Sequence, residues 1–560
     1  MTSDPRAFFT LDLGAATTAA ALVGNVQGSW RLLGSLALPA TIDREAILQL
    51  LLRRVREAAP AEIVAETELP EAAADVGRLV ARTTPPPTIA VIAATDARRV
   101  SLGTVADRAG WRVRGGSLDR GDRLDLLRTA LDPAVEAVLV GAADPPLTDE
   151  RARLEDLQAL ADAITERRPN LPVVLAGSVA GSITGSTMGS AGPAIPGPAV
   201  PGALVGVPAL EAEKPEGGER LFAPAPNTGD PPGSALTAFL LGMRARSDDA
   251  RQGVARSTSS LAAVTDRHVE TLEIGFEAGL RAAAWPAPDE PGGVAILSAE
   301  SVAAALFPAE ADEQTVDAVL AWSTLPIDRT RLRDRLRELR LWPWADAQGD
   351  GALLRLASAR VAVARLMTVT PAVSAHAAAD LVIAAGGVWS AAPGSAVALA
   401  LADVRRRPGA CQMAVDHARL LGPLGTIEDE GERRQLLDDL RDDLLLPIGS
   451  VVLAQGVRPG RTGGRVAVRS NGDSTERDLV PGTLEIVDVP PGQLAQAEFE
   501  FREPVLVGTR GKRFAIEVSG GLAGLLVDLR DIPLRLPDRA ERRRDVLADW
   551  QRPLWPGIEP

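Results

Sequence analysis

Cysteine is almost absent from this 560-residue sequence, which contains only Cys411. A single thiol excludes an intramolecular disulfide framework and any metal site built from several cysteines, and it suits a reducing cytoplasm. Histidine is nearly as rare, and its three copies are scattered without the spacing of metal ligands: His268, His376 and His417. We therefore predict no metal-ligating residue, and we assign no catalytic residue.

Positive charge is also in deficit. The chain has 60 Lys and Arg residues against 74 Asp and Glu residues, which gives a net charge of −14. This balance repels a phosphate backbone, and no basic face is segregated in the sequence, so nucleic acid is not expected as a partner. The uncharged stretch at 169–210 is rich in Gly, Ser, Ala and Pro, which favours a linker over a membrane span. Because the first residues also lack a secretion signal, we expect a cytoplasmic protein without membrane contact.

The order of apolar patterns predicts an α/β protein in four parts. Three strand-like segments and a helix open the chain, and alternating buried strands and helices follow, which is typical of a parallel sheet. A stretch rich in Gly, Pro and Ser then intervenes, and after about residue 445 the period-two alternation indicates β structure. We predict a first lobe at 1–176, a flexible linker or insertion at 177–234, a second lobe at 235–444, and a β domain with a terminal helix at 445–560.

The segment TLDLGAATTAAALVG at 10–24 is typical of two strands joined by a turn of small residues. Such a turn suits phosphate binding, because glycine lets the backbone approach phosphate oxygens while hydroxyl and amide groups donate to them. Many strand turns contain Asp and Gly, so an ordinary structural turn remains the alternative. The nucleotide-binding candidates in this turn are Asp12, Gly14, Thr17 and Thr18.

A second turn of small residues lies in DLVIAAGGVWSAAP at 380–393. The apolar run ends at Ala385, and Gly386 and Gly387 would let the backbone approach an adenine or a ribose where a helix begins. A double glycine is equally an ordinary tight connection between a strand and a helix. Gly386 and Gly387 are therefore further nucleotide-binding candidates with a structural alternative.

Several blocks of the sequence together resemble the glutamate mutase accessory family, called MutL or GlmL, of the actin, sugar-kinase and heat-shock-chaperone ATPase superfamily. The blocks are the opening hairpin, AVEAVLVGAAD with LPVVLAG, DLVIAAGGVWSAAP with QMAVDHARLLGPLG, and GLLVDLRDIPLRLP near the end. They cover most of the chain in patches. The resemblance implies a two-lobed actin-like ATPase fold of ribonuclease H-like topology with a C-terminal β-rich domain. It also implies ATP and Mg²⁺ as cofactors and a cobalamin-dependent mutase as protein partner.

The chain departs from this family at the expected second phosphate hairpin. The corresponding stretch is GVARSTSSLAAV at 253–264, where Gly253 and Ser260 replace the family's Asp residues and Ala255 and Arg256 replace its glycines. Because phosphoryl transfer depends on positioning by such groups, we predict a degenerate second loop. The first loop departs as well, with alanine in place of the family's Ser, Thr and Lys: Ala15, Ala16 and Ala19.

The resemblance and these departures favour a scaffold or assembly companion with a degenerate ATP site, bound to a mutase or to an intact relative. The first alternative is an active ATPase that reactivates such a mutase, in which Asp249 or Asp266 would supply the missing carboxylate. The second alternative is an actin-like structural polymer, which sedimentation with and without ATP would test.

Overall fold

The computed structural model describes most of the chain. The described residues are 6–142, 148–176, 220–222, 234–244, 246–287, 292–308, 311–343, 349–369, 378–457, 463–470 and 473–555. His376 and most of the predicted linker lie outside these ranges. Within them the protein is a mixed α/β structure with four sheets. No helix in these ranges combines the length and the apolar character needed to cross a membrane.

The N-terminal part of the chain forms a four-stranded sheet, sheet A: β1 (Ala7–Leu13), β2 (Thr17–Val26), β3 (Ser29–Pro39) and β4 (Gly77–Arg82). The first three strands form an antiparallel meander, and β4 pairs with β1 in parallel. Two α-helices and a short 3₁₀ helix separate β3 from β4: α1 (Arg44–Ala58), α2 (Ala61–Glu66) and the 3₁₀ helix Ala73–Asp75. Leu48, Leu52 and Val55 recur at helical spacing and bury one face of α1. The predicted opening of three strands and a helix is confirmed.

The strand-helix-strand units predicted for the first lobe form a separate parallel sheet, sheet B: β5 (Thr88–Ala93), β6 (Arg112–Ser117), β7 (Val135–Gly141), β8 (Val173–Ala176) and β9 (Arg220–Phe222). Their order is β6-β5-β7-β8-β9. Among the described residues, five α-helices accompany them: α3 (Asp96–Arg108), α4 (Arg123–Leu131), α5 (Thr148–Arg151), α6 (Leu154–Arg167) and α7 (Ser234–Met243). Ile89 and Ile92 lie in hydrophobic clusters on opposite faces, so the sheet is covered on both sides.

The largest sheet, sheet C, has eight strands: β10 (Val269–Ile274), β11 (Gly279–Pro286), β12 (Val294–Ser301), β13 (Leu381–Ala385), β14 (Gly409–Val415), β15 (Leu446–Leu453), β18 (Leu484–Val487) and β21 (Gly524–Asp528). Their order is β12-β11-β10-β13-β14-β15-β21-β18. The first three strands form an antiparallel meander, and β13 pairs with β10 in parallel. Sheets A and C therefore begin with the same strand topology.

Four strands near the C-terminus form an antiparallel sheet, sheet D: β16 (Gly464–Ser470), β17 (Asp473–Leu479), β19 (Leu494–Val507) and β20 (Thr509–Ser519). Their order is β17-β16-β19-β20. The β structure expected after about residue 445 is confirmed, although β15, β18 and β21 from this region extend sheet C. The predicted domain boundaries stay predictions.

The remaining α-helices follow sheet B in the chain: α8 (Ala250–Thr265), α9 (Glu313–Trp322), α10 (Arg329–Leu341), α11 (Asp350–Val369), α12 (Gly394–Val404), α13 (Leu421–Leu424), α14 (Glu430–Asp439), α15 (Arg441–Leu444) and α16 (Ala540–Gln551). One hydrophobic cluster joins sheet A to sheet C. It contains Phe8 from sheet A, Leu261 from α8 and Ile383 from sheet C. Separating the two sheets would expose this shared apolar core to water.

Candidate functional site

The first predicted turn is the connection between β1 and β2. The Gly14 N–H donates to the Thr17 carbonyl oxygen across 3.0 Å and closes the turn. Asp12 lies near the end of β1, opposite Ala19. Thr18 lies in β2 and is buried. The predicted hairpin is confirmed, while its role in binding phosphate stays a prediction.

The double-glycine turn lies against this hairpin. Gly386 has φ +98°, and a Cβ built there would lie 2.4 Å from the Ile274 carbonyl oxygen, so both conformation and space require glycine. Gly387 begins a short 3₁₀ helix, and a Cβ built there would lie 3.3 Å from Thr17 Oγ1. The structure thus brings together the two turns that the sequence singled out.

The hairpin predicted at 253–264 is wrong, because these residues form helix α8. Gly253, Ala255, Arg256 and Ser260 therefore constitute no phosphate loop. The carboxylate of Asp249 caps the start of the helix by accepting from the N–H groups of the second and third residues that follow it.

Gly253 has a packing role within α8. A Cβ built at this residue would lie only 2.1 Å from the Gly422 carbonyl oxygen in α13. The absence of a side chain at Gly253 therefore allows the backbones of α8 and α13 to approach closely. The glycine that resembled a loop residue marks a contact between two helices.

The structural counterpart of the first turn lies between β10 and β11. The sequence TLEIG at 271–275 repeats TLDLG at 10–14, so Glu273 corresponds to Asp12. The N–H of Gly275 donates to the Ala278 carbonyl oxygen across 3.0 Å, as Gly14 does in the first turn. The similarity of the two pentapeptides is the sequence signal for Glu273, which the family pattern of an acid with two glycines does not contain.

Arg419 fills the space between the first hairpin and the double-glycine turn. Its Nε lies 2.7 Å from Asp12 Oδ2, and its Nη1 donates to Thr17 Oγ1 across 2.6 Å. Its Nη2 is 2.8 Å from the position of a Cβ on Gly14, and its Nη1 is 3.6 Å from that on Gly387. The absence of a side chain on Gly14 makes room for the guanidinium group, whereas a Cβ on Gly387 would be in ordinary contact with it.

A second arginine approaches from α8. Arg251 is 2% exposed, and its Nε lies 3.1 Å from Glu300 Oε2. The same Glu300 oxygen lies 2.6 Å from Nη1 of Arg244, and Arg251 Nη2 donates to the Thr84 carbonyl oxygen across 2.8 Å. Arg251 therefore links the end of sheet C to the segment that leaves sheet A.

These residues line a cavity of about 20 Å³. Four buried polar atoms of its lining residues have no hydrogen-bond partner among the described residues: Asp12 Oδ1, Glu273 Oε2, and both Nε and Nη1 of Arg251. The volume suits roughly one water molecule, which needs about 10–15 Å³ on this measure. The full lining consists of Asp12, Thr83, Ala250, Arg251, Val254, Glu273, Ala385, Gly386, Asp416, Arg419 and Gly422.

Two carboxyl groups of this lining have strongly raised pKa values. Burial raises the pKa of Glu273 to about 8, and the charge of Asp12 adds to this, although Arg251 opposes it. Burial likewise raises the pKa of Asp416 to about 7, against the N–H groups of Leu420 and Leu421 that donate to its oxygens. Both carboxyl groups therefore stay protonated at pH values well above the range in which carboxyl groups usually ionise.

Three further residues that the sequence analysis considered, Asp249, Asp266 and His268, have structural roles. Asp249 caps α8, and Asp266 ends the same helix in a left-handed conformation with φ +50°. His268 is buried and packs edge-on against Trp285. In the described ranges no group of three or more His, Cys, Asp or Glu side chains has the arrangement of a metal site.

No protein-family model matches this chain. No curated protein matches it either. The resemblance to the glutamate mutase accessory family therefore has no support beyond the sequence blocks that suggested it.

Among solved structures, the nucleotide-free acetone carboxylase aligns with 84% of this chain and 80% of its own, at 9% identity and a TM-score of 0.27. The PilM-PilN type IV pilus biogenesis complex aligns with 77% and 98%, at 10% identity and a TM-score of 0.21. The PPX-GPPA enzyme of Aquifex aeolicus aligns with 77% and 89%, at 7% identity and a TM-score of 0.19. At such scores the similarity establishes no function, and the description of this fold rests on its own strand pairings.

Proposed function

We propose that this chain is a two-lobed actin-like protein whose ATP site has become a closed ion-pair junction, and that it acts as a scaffold or assembly companion. Two features support the actin-like part of the proposal. Sheets A and C begin with the same meander and parallel strand. Their first turns also place Asp12 and Glu273 on one cavity, as expected for two related lobes that face each other.

The position of Arg419 is the observation that carries the proposal. In a nucleotide site, glycine turns present backbone N–H groups to phosphate oxygens. Here the guanidinium group of Arg419 occupies the space beside Gly14 and Gly387, and it neutralises Asp12 internally. The cavity that remains, about 20 Å³, has room for roughly one water molecule. Admitting a nucleotide would require sheets A and C to separate and expose their shared core.

Calorimetry on the full-length protein tests this proposal directly. Titration with ATP and Mg²⁺ at millimolar concentration should give no heat of binding. A dissociation constant in the micromolar range would overturn the degenerate site. The double variant Gly14→Ala with Gly387→Ala serves as a control, since any heat that survives both substitutions arises away from these turns.

The partner we propose is a cobalamin-dependent mutase or an intact relative of this chain. This part rests on the sequence resemblance alone. Retention of purified glutamate mutase subunits by the immobilised full-length chain, at a defined stoichiometry, would support it. An unrelated soluble enzyme of similar charge is the control, and equal retention of both would reject a mutase partner.

One observation favours an active ATPase as a second candidate. Asp12 and Glu273 occupy equivalent turn positions, and each has a buried oxygen on the cavity without a hydrogen-bond partner among the described residues. Carboxylates in such positions could orient the reacting groups in phosphoryl transfer. Phosphate release from ATP should then disappear in Asp12→Asn and Glu273→Gln but persist in Glu277→Gln on the same hairpin. Equal release by all three variants would reject this candidate.

A further inference from the structure

A buried group of charges joins sheet A to sheet C, and its acids outnumber its bases. Five ionisable side chains line the cavity: Asp12, Arg251, Glu273, Asp416 and Arg419. Three of them are carboxyl groups and two are guanidinium groups. Asp12 comes from sheet A, whereas Glu273 and Asp416 belong to sheet C or follow one of its strands.

Each guanidinium group already has an acidic partner. Arg419 pairs with Asp12 at 2.7 Å, and Arg251 pairs with Glu300 at 3.1 Å. Within the described residues, neither of the other two carboxyl groups of the cavity forms an ion pair. Ionisation of either group would add a negative charge to a cavity whose two guanidinium groups already have acidic partners.

The surrounding charged groups do not correct this imbalance. Glu277 follows on the same hairpin as Glu273 and pairs with Arg340 at 2.9 Å and Arg112 at 3.5 Å. Among the described residues, Arg244, Asp249 and Glu300 extend the ion pair of Arg251 from other elements. These three contribute two acids and one base, so the excess of acids persists when they are included.

We propose that this junction holds protons at neutral pH and that their release weakens the contact between sheets A and C, so that it acts as a pH-sensitive joint. An ionised carboxylate that is buried without a partner is costly, and here it would also face the charge of Asp12 across the cavity. The joint relieves this cost by opening to water. The proposal does not depend on the proposed function, because it requires neither a nucleotide nor a partner.

The direction of the pH effect follows from proton binding. The pKa of Glu273 rises from 4.5 to about 8, and burial is the main cause. Between these values the folded chain binds more protons than the unfolded chain. The free energy of unfolding should therefore fall as pH rises through this window and level off above about pH 8. Asp416, with a pKa raised to about 7, adds to the same slope.

Glu273→Gln is the decisive variant, because glutamine keeps the shape of the side chain but cannot ionise. The midpoint of urea unfolding of the wild-type protein should fall between about pH 6 and about pH 9, and in Glu273→Gln this fall should be clearly smaller. Glu277→Gln is the matched control on the same hairpin and should keep the wild-type slope. Equal slopes for the wild-type protein and Glu273→Gln would overturn the proposal.

The wild-type protein provides a second test if the variant does not fold. Hydrogen exchange of amides at 10–17 and 416–424, corrected for the intrinsic effect of pH, should accelerate over the same pH range. Amides of sheet D, which contributes no residue to the cavity lining, should show no such acceleration. Absence of a local acceleration in the first two segments would overturn the proposal.

Discussion

Arg419 and Asp12 form an ion pair, with Nε and Oδ2 2.7 Å apart, that ties sheet A to the residues following β14. The backbone of Arg419 has φ +56°, a left-handed conformation that few non-glycine residues adopt. Such strain persists only where the surroundings hold it. Asp12 and Thr17 hold the guanidinium group here, so the side chain and the strained backbone stabilise one closed arrangement.

We expect Arg419→Ala to lower the free energy of unfolding by about 3 kcal/mol, because it leaves the largely buried Asp12 carboxylate without its cation. Urea unfolding at neutral pH measures the loss. In the double variant with Asp12→Asn, the buried charge is gone, and part of the stability should return. If the two substitutions simply added their losses, the pair would not be the coupled unit described here.

Gly253 supplies a test of the contact between α8 and α13. Alanine in a helix interior usually stabilises by about 1 kcal/mol relative to glycine. At Gly253 the added Cβ would collide with the Gly422 carbonyl oxygen, so we expect Gly253→Ala to destabilise by about 2 kcal/mol.

Gly242 in α7 is the matched control, because a Cβ built there has no heavy atom within 4 Å. Thermal unfolding should show a small gain for Gly242→Ala and a loss for Gly253→Ala. A gain at both positions would contradict the close approach of the two helices. Because Gly253 lies in a helix, Gly253→Asp should create no ATPase activity.

The parts of the fold that could be predicted are those with strong local patterns. The strands around Asp12 and the turn at Gly386 follow from apolar runs and glycine chemistry, and the structure contains both. The segment at 253–264 was ambiguous, because Ser, Thr and Arg residues occur in loops and helices alike. It becomes a helix through the Asp249 cap and through packing that no local pattern reveals.

The sequence also could not predict which strands pair with one another. The alternation after about residue 445 predicted strands, but not that β15, β18 and β21 join sheet C while their neighbours form sheet D. Such pairing is decided by contacts between residues distant in sequence. The contact of Arg419 with Asp12 could not be predicted for the same reason, because Arg419 lies 407 positions after Asp12 in the chain. Glu273 could have been found, because TLEIG repeats TLDLG.

Gly386→Ala should destabilise the protein for two reasons: alanine disfavours the backbone conformation at this position, and its Cβ would collide with β10. Gly386 has φ +98°, and the added Cβ would lie 2.4 Å from the Ile274 carbonyl oxygen. Gly28 has φ +86° but no heavy atom within 4 Å of the same position, so Gly28→Ala isolates the conformational cost. We expect about 1 kcal/mol for Gly28→Ala and at least about twice that for Gly386→Ala, measured by urea unfolding. Equal losses would mean that the turn does not press against β10.

Glu270 offers a test of pH dependence with the opposite sign to that of Glu273. Its carboxylate lies 2.7 Å from Nε of Arg281 and 2.6 Å from Nε of Arg405. Burial alone would raise the pKa of Glu270, but the two guanidinium groups outweigh burial and lower it to about 2. The ionised group therefore stabilises the fold above about pH 4.5, and this contribution is lost as pH falls towards about 2.

We expect Glu270→Gln to lower the stability strongly at neutral pH, because it removes the buried anion that pairs with both Arg281 and Arg405. Near pH 3 the difference from the wild-type protein should shrink, since wild-type stability itself declines there. Glu500 is the matched control: it pairs with two arginines, Arg465 and Arg513, on the surface of sheet D. Solvent screens that group, so Glu500→Gln should shift the unfolding midpoint little at either pH. A large effect of Glu500→Gln, or no effect of Glu270→Gln, would show that burial does not determine how much each ion-pair site contributes to stability.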